Sequence, residues 1–273
     1  MSDDPIQTCL MEGDFDGAVA LVSAALDEQF APELGVQLFG IHTFRDDPDA
    51  AEQALRRVVE AHPDLQVQAL FDCLQALRAY LHRRESATET SQRNFVLGRS
   101  NPAPPPWLAR QVQAAVEHAS GEVAAAAASV QWVKTTRPDI AGEAHLIDGS
   151  RRSFQSICDA DDLHGTVLHC FSGPHLLDIP FTELQRVDLG EVRASWDTIW
   201  RPIKVALRDG RQFAARMPTR YPRSGTHPDA LVRLGRMTLL DHDRGYAIGW
   251  GMIDYILDEV AVGVERITSL RRS

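Results

Sequence analysis

The spacing of apolar residues changes once along this chain, near residue 150. From residue 6 to about 138 they recur at three- and four-residue steps, the period of an α-helix with one buried face. Phe15, Val19, Val22 and Leu26 share one such face, Leu55, Val58 and Val59 a second, and Leu70, Leu74 and Leu77 a third. Pro48, behind Asp46 and Asp47, suits a first helical turn with an aspartate cap. The run Asn101-Pro102-Ala103-Pro104-Pro105-Pro106 is expected to be non-helical throughout and to separate two helical groups.

Beyond residue 150 the period falls to two. Thr166 to Phe171 and His175 to Ile179 alternate on either side of Ser172-Gly173-Pro174 and predict a hairpin. Ile203 to Leu207 and Phe213 to Met217 predict a second, joined through Asp209-Gly210. Met237 to Leu240 and Tyr246 to Trp250 predict a third, and Val264 to Leu270 a closing strand. Phe181 to Val187 and Val192 to Ile199 read as short helical segments between strands, and Gly142 to Gly149 as a loop. The expected class is α+β, with a helical domain over residues 1–145 and an antiparallel β sheet or small barrel over 150–273.

The helical half carries a repeated offset. Ala51, Leu55, Val58 and Pro63 match the second helix of a tetratricopeptide-like hairpin, as do Ala126, Val130, Val133 and Pro138. Ala18, Val22 and Ala25 begin the same pattern, with Phe30 where the proline would stand. The small residue allows close helix approach, the proline ends the helix, and Gly13 and Gly121 fall where such a repeat turns. Stacked hairpins leave a groove that can receive a helix or an extended peptide.

The 273 residues hold 44% hydrophobic and 24% charged residues, enough for a sizeable core. The formal charge of −10 is concentrated at the front: residues 1–90 carry 17 acidic and 6 basic side chains. An acidic half repels a phosphate backbone, so nucleic acid is not an expected partner. It would favour a basic segment. The longest apolar run, Val123 to Val130, is too short to cross a bilayer, and the start MSDDPIQ lacks a signal-peptide layout, so a cytoplasmic protein is expected. Cys9, Cys73, Cys158 and Cys170 form no CxxC pair and read as reduced thiols.

Candidate chemistry is sparse. Cys158, Asp159, Asp161, Asp162, His164, His169, Cys170 and His175 crowd eighteen residues, and a metal-dependent hydrolase built on Asp159–His175 is the alternative to a binding protein. Their spacing over separate strands and a turn argues for structural roles, and no cofactor or metal is expected. No nucleophile elbow, dinucleotide fingerprint or phosphate loop occurs. Trp196 and Trp200, four apart, are placed to share a helix face before Arg201-Pro202 enters a strand; they would cover the β core or anchor an interface.

At these residues the chain resembles the ImpE family, also called SciE-type or TagJ, accessory proteins of bacterial type VI secretion. The resemblance rests on Asp159-Ala160-Asp161-Asp162, Trp200-Arg201-Pro202, Met217-Pro218-Thr219-Arg220-Tyr221-Pro222 and Leu234-Gly235-Arg236-Met237-Thr238, in that order, with Gly13-Asp14-Phe15 in the helical half. Tyr255 to Val264 departs from the pattern. The resemblance implies an adaptor without catalytic residues, binding a helix of the sheath small subunit and so connecting to the AAA+ ATPase that disassembles the sheath. It marks Asp159, Asp161, Asp162, Trp196, Trp200, Arg201, Pro202, Pro218, Arg220, Tyr221, Gly235 and Arg236 as family positions and candidate interface residues. Together with the groove and the acidic charge, it directs a basic amphipathic helix to the N-terminal half.

Overall fold

In the computed structural model, which describes residues 4–65, 67–83, 93–98, 103–192 and 195–273, prolines open four of the first six helices. These are α1 (Pro5–Glu12), α3 (Pro32–Phe44), α4 (Pro48–Ala61) and α6 (Pro106–Ala119). A first-turn proline gives up only an amide that has no intrahelical acceptor. Between and after them lie α2 (Phe15–Glu28), α5 (Gln68–His82) and α7 (Val123–Thr136). Asp4, Asp14 and Asp47 cap α1, α2 and α4 by accepting from the amides of Ile6, Gly17 and Ala50. Pro106 thus belongs to a helix start; Asn101 and Pro102 of the proline run lie outside the described residues.

Consecutive helices pack as hairpins, α1 on α2, α3 on α4 and α6 on α7. Ala18, Ala51 and Ala126 are fully buried. The first five helices share one core, built on Phe15, Val22, Leu38, Phe39, Leu55 and Leu74. The hairpin α6–α7 belongs to another, where Ala114, Ala126 and Val130 meet Leu163, Tyr246 and Ile248.

Thirteen strands follow among the described residues: β1 (Gly142–Leu146), β2 (Arg151–Phe154), β3 (Ile157–Asp159), β4 (Val167–Ser172), β5 (His175–Pro180), β6 (Leu184–Leu189), β7 (Trp200–Leu207), β8 (Gln212–Pro218), β9 (Thr238–Asp241), β10 (Ile248–Gly251), β11 (Asp254–Leu257), β12 (Val260–Gly263) and β13 (Ile267–Arg272). Eight form an antiparallel sheet in the order β2-β1-β13-β6-β7-β8-β4-β5. The three predicted hairpins are present as β4–β5, β7–β8 and β9–β10. The sheet is open, with edges at β2 and β5, and forms no closed barrel.

Four expectations need correction. The loop expected at 142–149 contains β1, which pairs with both β2 and β13. Phe181 to Val187 is not helical beyond a 3-10 turn at Phe181–Glu183; β6 follows. Its apolar Leu184 and Val187 mimic a helical step because a register shift lies between Leu184 and Arg186. The strand expected over Val264 to Leu270 begins only after a 3-10 turn at Val264–Arg266, runs over Ile267–Arg272, and lies between β1 and β6. Trp196 and Trp200 share no helix face, since a 3-10 turn ends at Thr198 and Trp200 opens β7.

The two halves meet on one face of the large sheet. Alternation along β7 sends Ile203, Val205 and Leu207 into a core with Tyr255, Leu257 and Val262 of the small sheet β12-β11-β3. Trp200 points the other way, with Phe171 and Leu176, into the core of α1–α5. Its ring meets Phe39 and Phe171 edge-on at 5.9 and 6.2 Å. The result is three layers: helices, large sheet, small sheet.

Candidate functional site

The family positions congregate where the layers join, and most are consumed there. Arg220, just past β8, is buried beneath the end of α3. Its Nη2 donates to the Phe44 carbonyl at 3.0 Å and approaches Asp46 Oδ1 at 3.4 Å, and its Nη1 donates to the Arg233 carbonyl. The guanidinium lies 5.1 Å from the Phe44 ring centroid. Asp46, expected as a cap, instead turns with φ 57° and accepts from the Gly225 amide at 2.7 Å. Asp47 supplies the cap. Gly225 must be glycine: a methyl there would collide with the Phe44 carbonyl and the Arg45–Asp46 backbone. At Gly235, with φ 65°, a Cβ would sit 2.8 Å from the Arg220 stem.

The acidic motif folds as a turn under the same seam. Asp159 accepts from its neighbour's amide, Asp161, at 2.8 Å and from the Tyr221 hydroxyl at 2.7 Å. Burial, reinforced by Asp161, pushes the Asp159 carboxyl well above the usual range. Asp161 accepts from the amides of Leu163 and Gly249, at 2.8 and 2.9 Å. Asp162 accepts from the Ala247 amide at 2.7 Å and pairs with Lys134 of α7 at 2.8 Å. These carboxylates therefore fasten the turn to β10 and α7. His164, at the end of this turn, packs against His169 with ring centroids 4.6 Å apart; the Nδ1 of His169 lies 2.7 Å from the carboxylate of Asp178, while His175 is exposed. Among the described residues no three His, Cys, Asp or Glu side chains converge as metal ligands. Among the described residues the Asp159–His175 cluster does not gather into a metal site for the hydrolase alternative.

Asp178 is a centre that sequence reasoning missed. Its carboxylate is wholly buried between Arg83 at the end of α5, His169 on β4 and Arg93, the last at 3.8 Å. Burial alone would raise its pKa, but Arg83, His169 and Arg93 together hold it well below the usual range. The main chain of Asp178 also bonds to Asn94 and Val96, at 3.0 and 2.9 Å. Nothing in the spacing of residues 83, 93, 169 and 178 announces this meeting.

Of the family positions, Pro202 lines a second cavity, whereas Arg201, Gly235 and Arg236 share one cleft. This cleft, of about 550 Å³, lies between the helical layer and the β half. One wall is Gln7, Leu10 and Met11 of α1, Phe15, and Gly40, Ile41 and Phe44 of α3. The other includes Val192, Asp197, Arg201, Leu234, Arg236, Met252, Val264 and Glu265. Arg201 is committed to the carbonyls of Gly190, Val264 and Glu265, at 3.0 to 3.3 Å. Asp197 is paired with Arg216 at 2.6 Å. The cleft is thus apolar in its depth and charge-balanced in its walls, with Met11 and Val192 exposed at the rim. Trp200, Pro202 and Pro218 do not line it: Trp200 is buried, and Pro218 is its cross-strand partner on β8. The Trp196 side chain lies outside the described residues.

The site is thus a composite cleft at the junction of a helical layer and an open antiparallel sheet. Comparison with known proteins agrees with the resemblance read from the motifs. Residues 151–271 match the family described as ImpE protein. Over 154 residues the chain is 27% identical to the type VI secretion system accessory component TagJ of Pseudomonas aeruginosa, a match covering 55% of this chain. It spans about half the length of that relative, 53%. The fold is that of protein VPA1032 from Vibrio parahaemolyticus, solved by crystallography, with a TM-score of 0.84 at 17% identity over 98% of this chain and 97% of that one. No helix among the described residues is long and apolar enough to cross a membrane.

Proposed function

We propose that this chain is a non-enzymatic, cytoplasmic accessory protein of a type VI secretion system. It holds a helix of the sheath small subunit in the cleft between its helical layer and its sheet, and so connects the sheath to the AAA+ ATPase that disassembles it. The observation that carries this reading is the composite cleft, one wall of which lies in the stretch that matches the ImpE family. Its depth suits the apolar face of an amphipathic helix. The charge of residues 1–90 steers a basic segment toward the molecule, while affinity comes from the apolar lining, because exposed ion pairs contribute only about 0–1 kcal/mol each.

The cleft changes one expectation. Both halves supply its walls, so the N-terminal half alone does not hold the whole surface. Calorimetric titration of the intact protein with the sheath small subunit from the same gene cluster tests the reading. Met11→Asp and Val192→Glu, both at exposed rim positions, are expected to weaken binding about tenfold each, the effect of losing roughly 1.4 kcal/mol of apolar burial. Unchanged affinity in both variants, or no binding by the intact protein, would overturn it.

A further inference from the structure

Helix α1 forms part of the cleft wall yet buries no side chain of its own fully. Ile6, Cys9 and Leu10 reach the helical core only in part, and Met11 is 57% exposed. Eight residues are fewer than the ~12–15 that make a helix even marginal alone in water. Glu12 sits in its last turn, where the helix dipole disfavours an acid, and α1 has no basic residue of its own in that turn.

Two arginines from the β half hold α1 in place. Arg233 Nη2 donates to the Gly13 carbonyl at 3.0 Å, and Arg236 Nη1 to the Met11 carbonyl at 3.1 Å. Arg233 is itself braced on the carbonyls of His227 and Pro228, at 2.8 and 2.7 Å, so it fixes the turn. Gly13 has φ 73° and lies so near Ala230 that an added Cβ would sit 3.1 Å from the alanine's. Arg236 grips the helix itself, one turn-end residue inside it.

The position of this helix gives the arrangement a purpose, since α1 supplies one wall of the cleft. Gln7, Leu10 and Met11 all leave the wall if α1 moves.

We propose that α1 is a gate over the cleft, with the Gly13–Asp14 turn as its pivot and Arg236 as its latch, and that a partner helix seats by displacing it. The partner's part in this rests on the function proposed above; the gate itself is a property of the free protein. Low local burial and few tertiary bonds are the features that make a segment open below the global unfolding free energy.

Hydrogen–deuterium exchange on the full chain reads both. In the free protein, amides of residues 8–12 should exchange at least tenfold faster than those in the middle of α3. Arg236→Ala should accelerate them about another tenfold without changing α3 or β7, and Arg236→Lys, which keeps a donor, should restore part of the protection. A synthetic peptide of the sheath small subunit's helix should bind faster to Arg236→Ala than to the parent and should alter exchange in residues 8–12. If α1 and α3 exchange together, or if Arg236→Ala accelerates both equally, α1 belongs to the cooperative core and the gate is wrong. If the peptide binds while α1 exchange and association rate stay unchanged, the gate fails and the partner reading stands. If α1 opens as described but the peptide does not bind, the gate stands and the partner reading fails.

Discussion

Replacing Asp178 by asparagine probes the buried charge centre that joins the end of α5 to the sheet. The substitution keeps the shape and removes the charge. Arg83 and His169, buried against that carboxylate, then lose the anion they share among the described residues, and Arg93 at 3.8 Å loses the same one. Removing one partner of a buried pair costs about 3–5 kcal/mol, because the remaining charge stays desolvated. For a chain of this size that is a fall in Tm of roughly 10 °C. Urea unfolding should show a lower midpoint with an unchanged slope. The double replacement Arg83→Met with Asp178→Leu should be far milder than Asp178→Asn alone, since no buried ion is stranded. pH supplies a second arm. Asp178 titrates below its ordinary value in the folded chain, so its stabilisation is complete above about pH 3.9, the unfolded value, and is lost as pH falls through the depressed folded value. The acid limb of stability should therefore be shallower in Asp178→Asn. His169, whose pKa burial lowers, adds a loss of stability below about pH 6.5, where the unfolded chain binds the proton and the folded one resists it. A cost under 1 kcal/mol for Asp178→Asn, or a double variant as unstable as the single one, would refute this account.

Other expectations follow from the seam. Gly225→Ala should destabilise the protein by about 2 kcal/mol or more, because the backbone of residues 44–46 must retreat from the added methyl; an unchanged thermal midpoint would contradict the packing described. Trp200→Ala should cost about 3–5 kcal/mol by opening a cavity between the helical core and the sheet, measured by denaturant titration. Limited proteolysis should cut first within the proline run or near Ser150, as the division into two domains proposes, and the fragments from the proline-run cut should co-elute in gel filtration because Trp200, Arg220 and Asp178 bind across the halves.

Local physics made much of the fold legible. The helical period over the first half, the helix start at Asp47-Pro48, and the hairpins around Gly173 and Gly210 depend on residues within a few positions of one another, so the pattern carries them directly. The roles of the residues on which the ImpE resemblance rests were not legible. Their work became visible only when Arg220 was seen against Phe44 and Asp46, 174 residues earlier, and Asp159 against Tyr221, 62 residues later.

What the chain could not announce locally was decided by long-range pairing. β1 and β6 are strands because β13 lies between them and satisfies their backbone groups, overriding the loop and helical patterns of their own residues. The sheet stays open because its strand order leaves β2 and β5 unjoined to each other, which alternation along single strands cannot specify. The charge centre at Asp178 and the cleft between α1, α3 and the β half exist only once the two halves are packed together. Sequence alone determined the local elements and where their period changes; tertiary structure decided which buried charges meet and where apolar surface is left uncovered, because both depend on contacts between residues too distant for any local period to record.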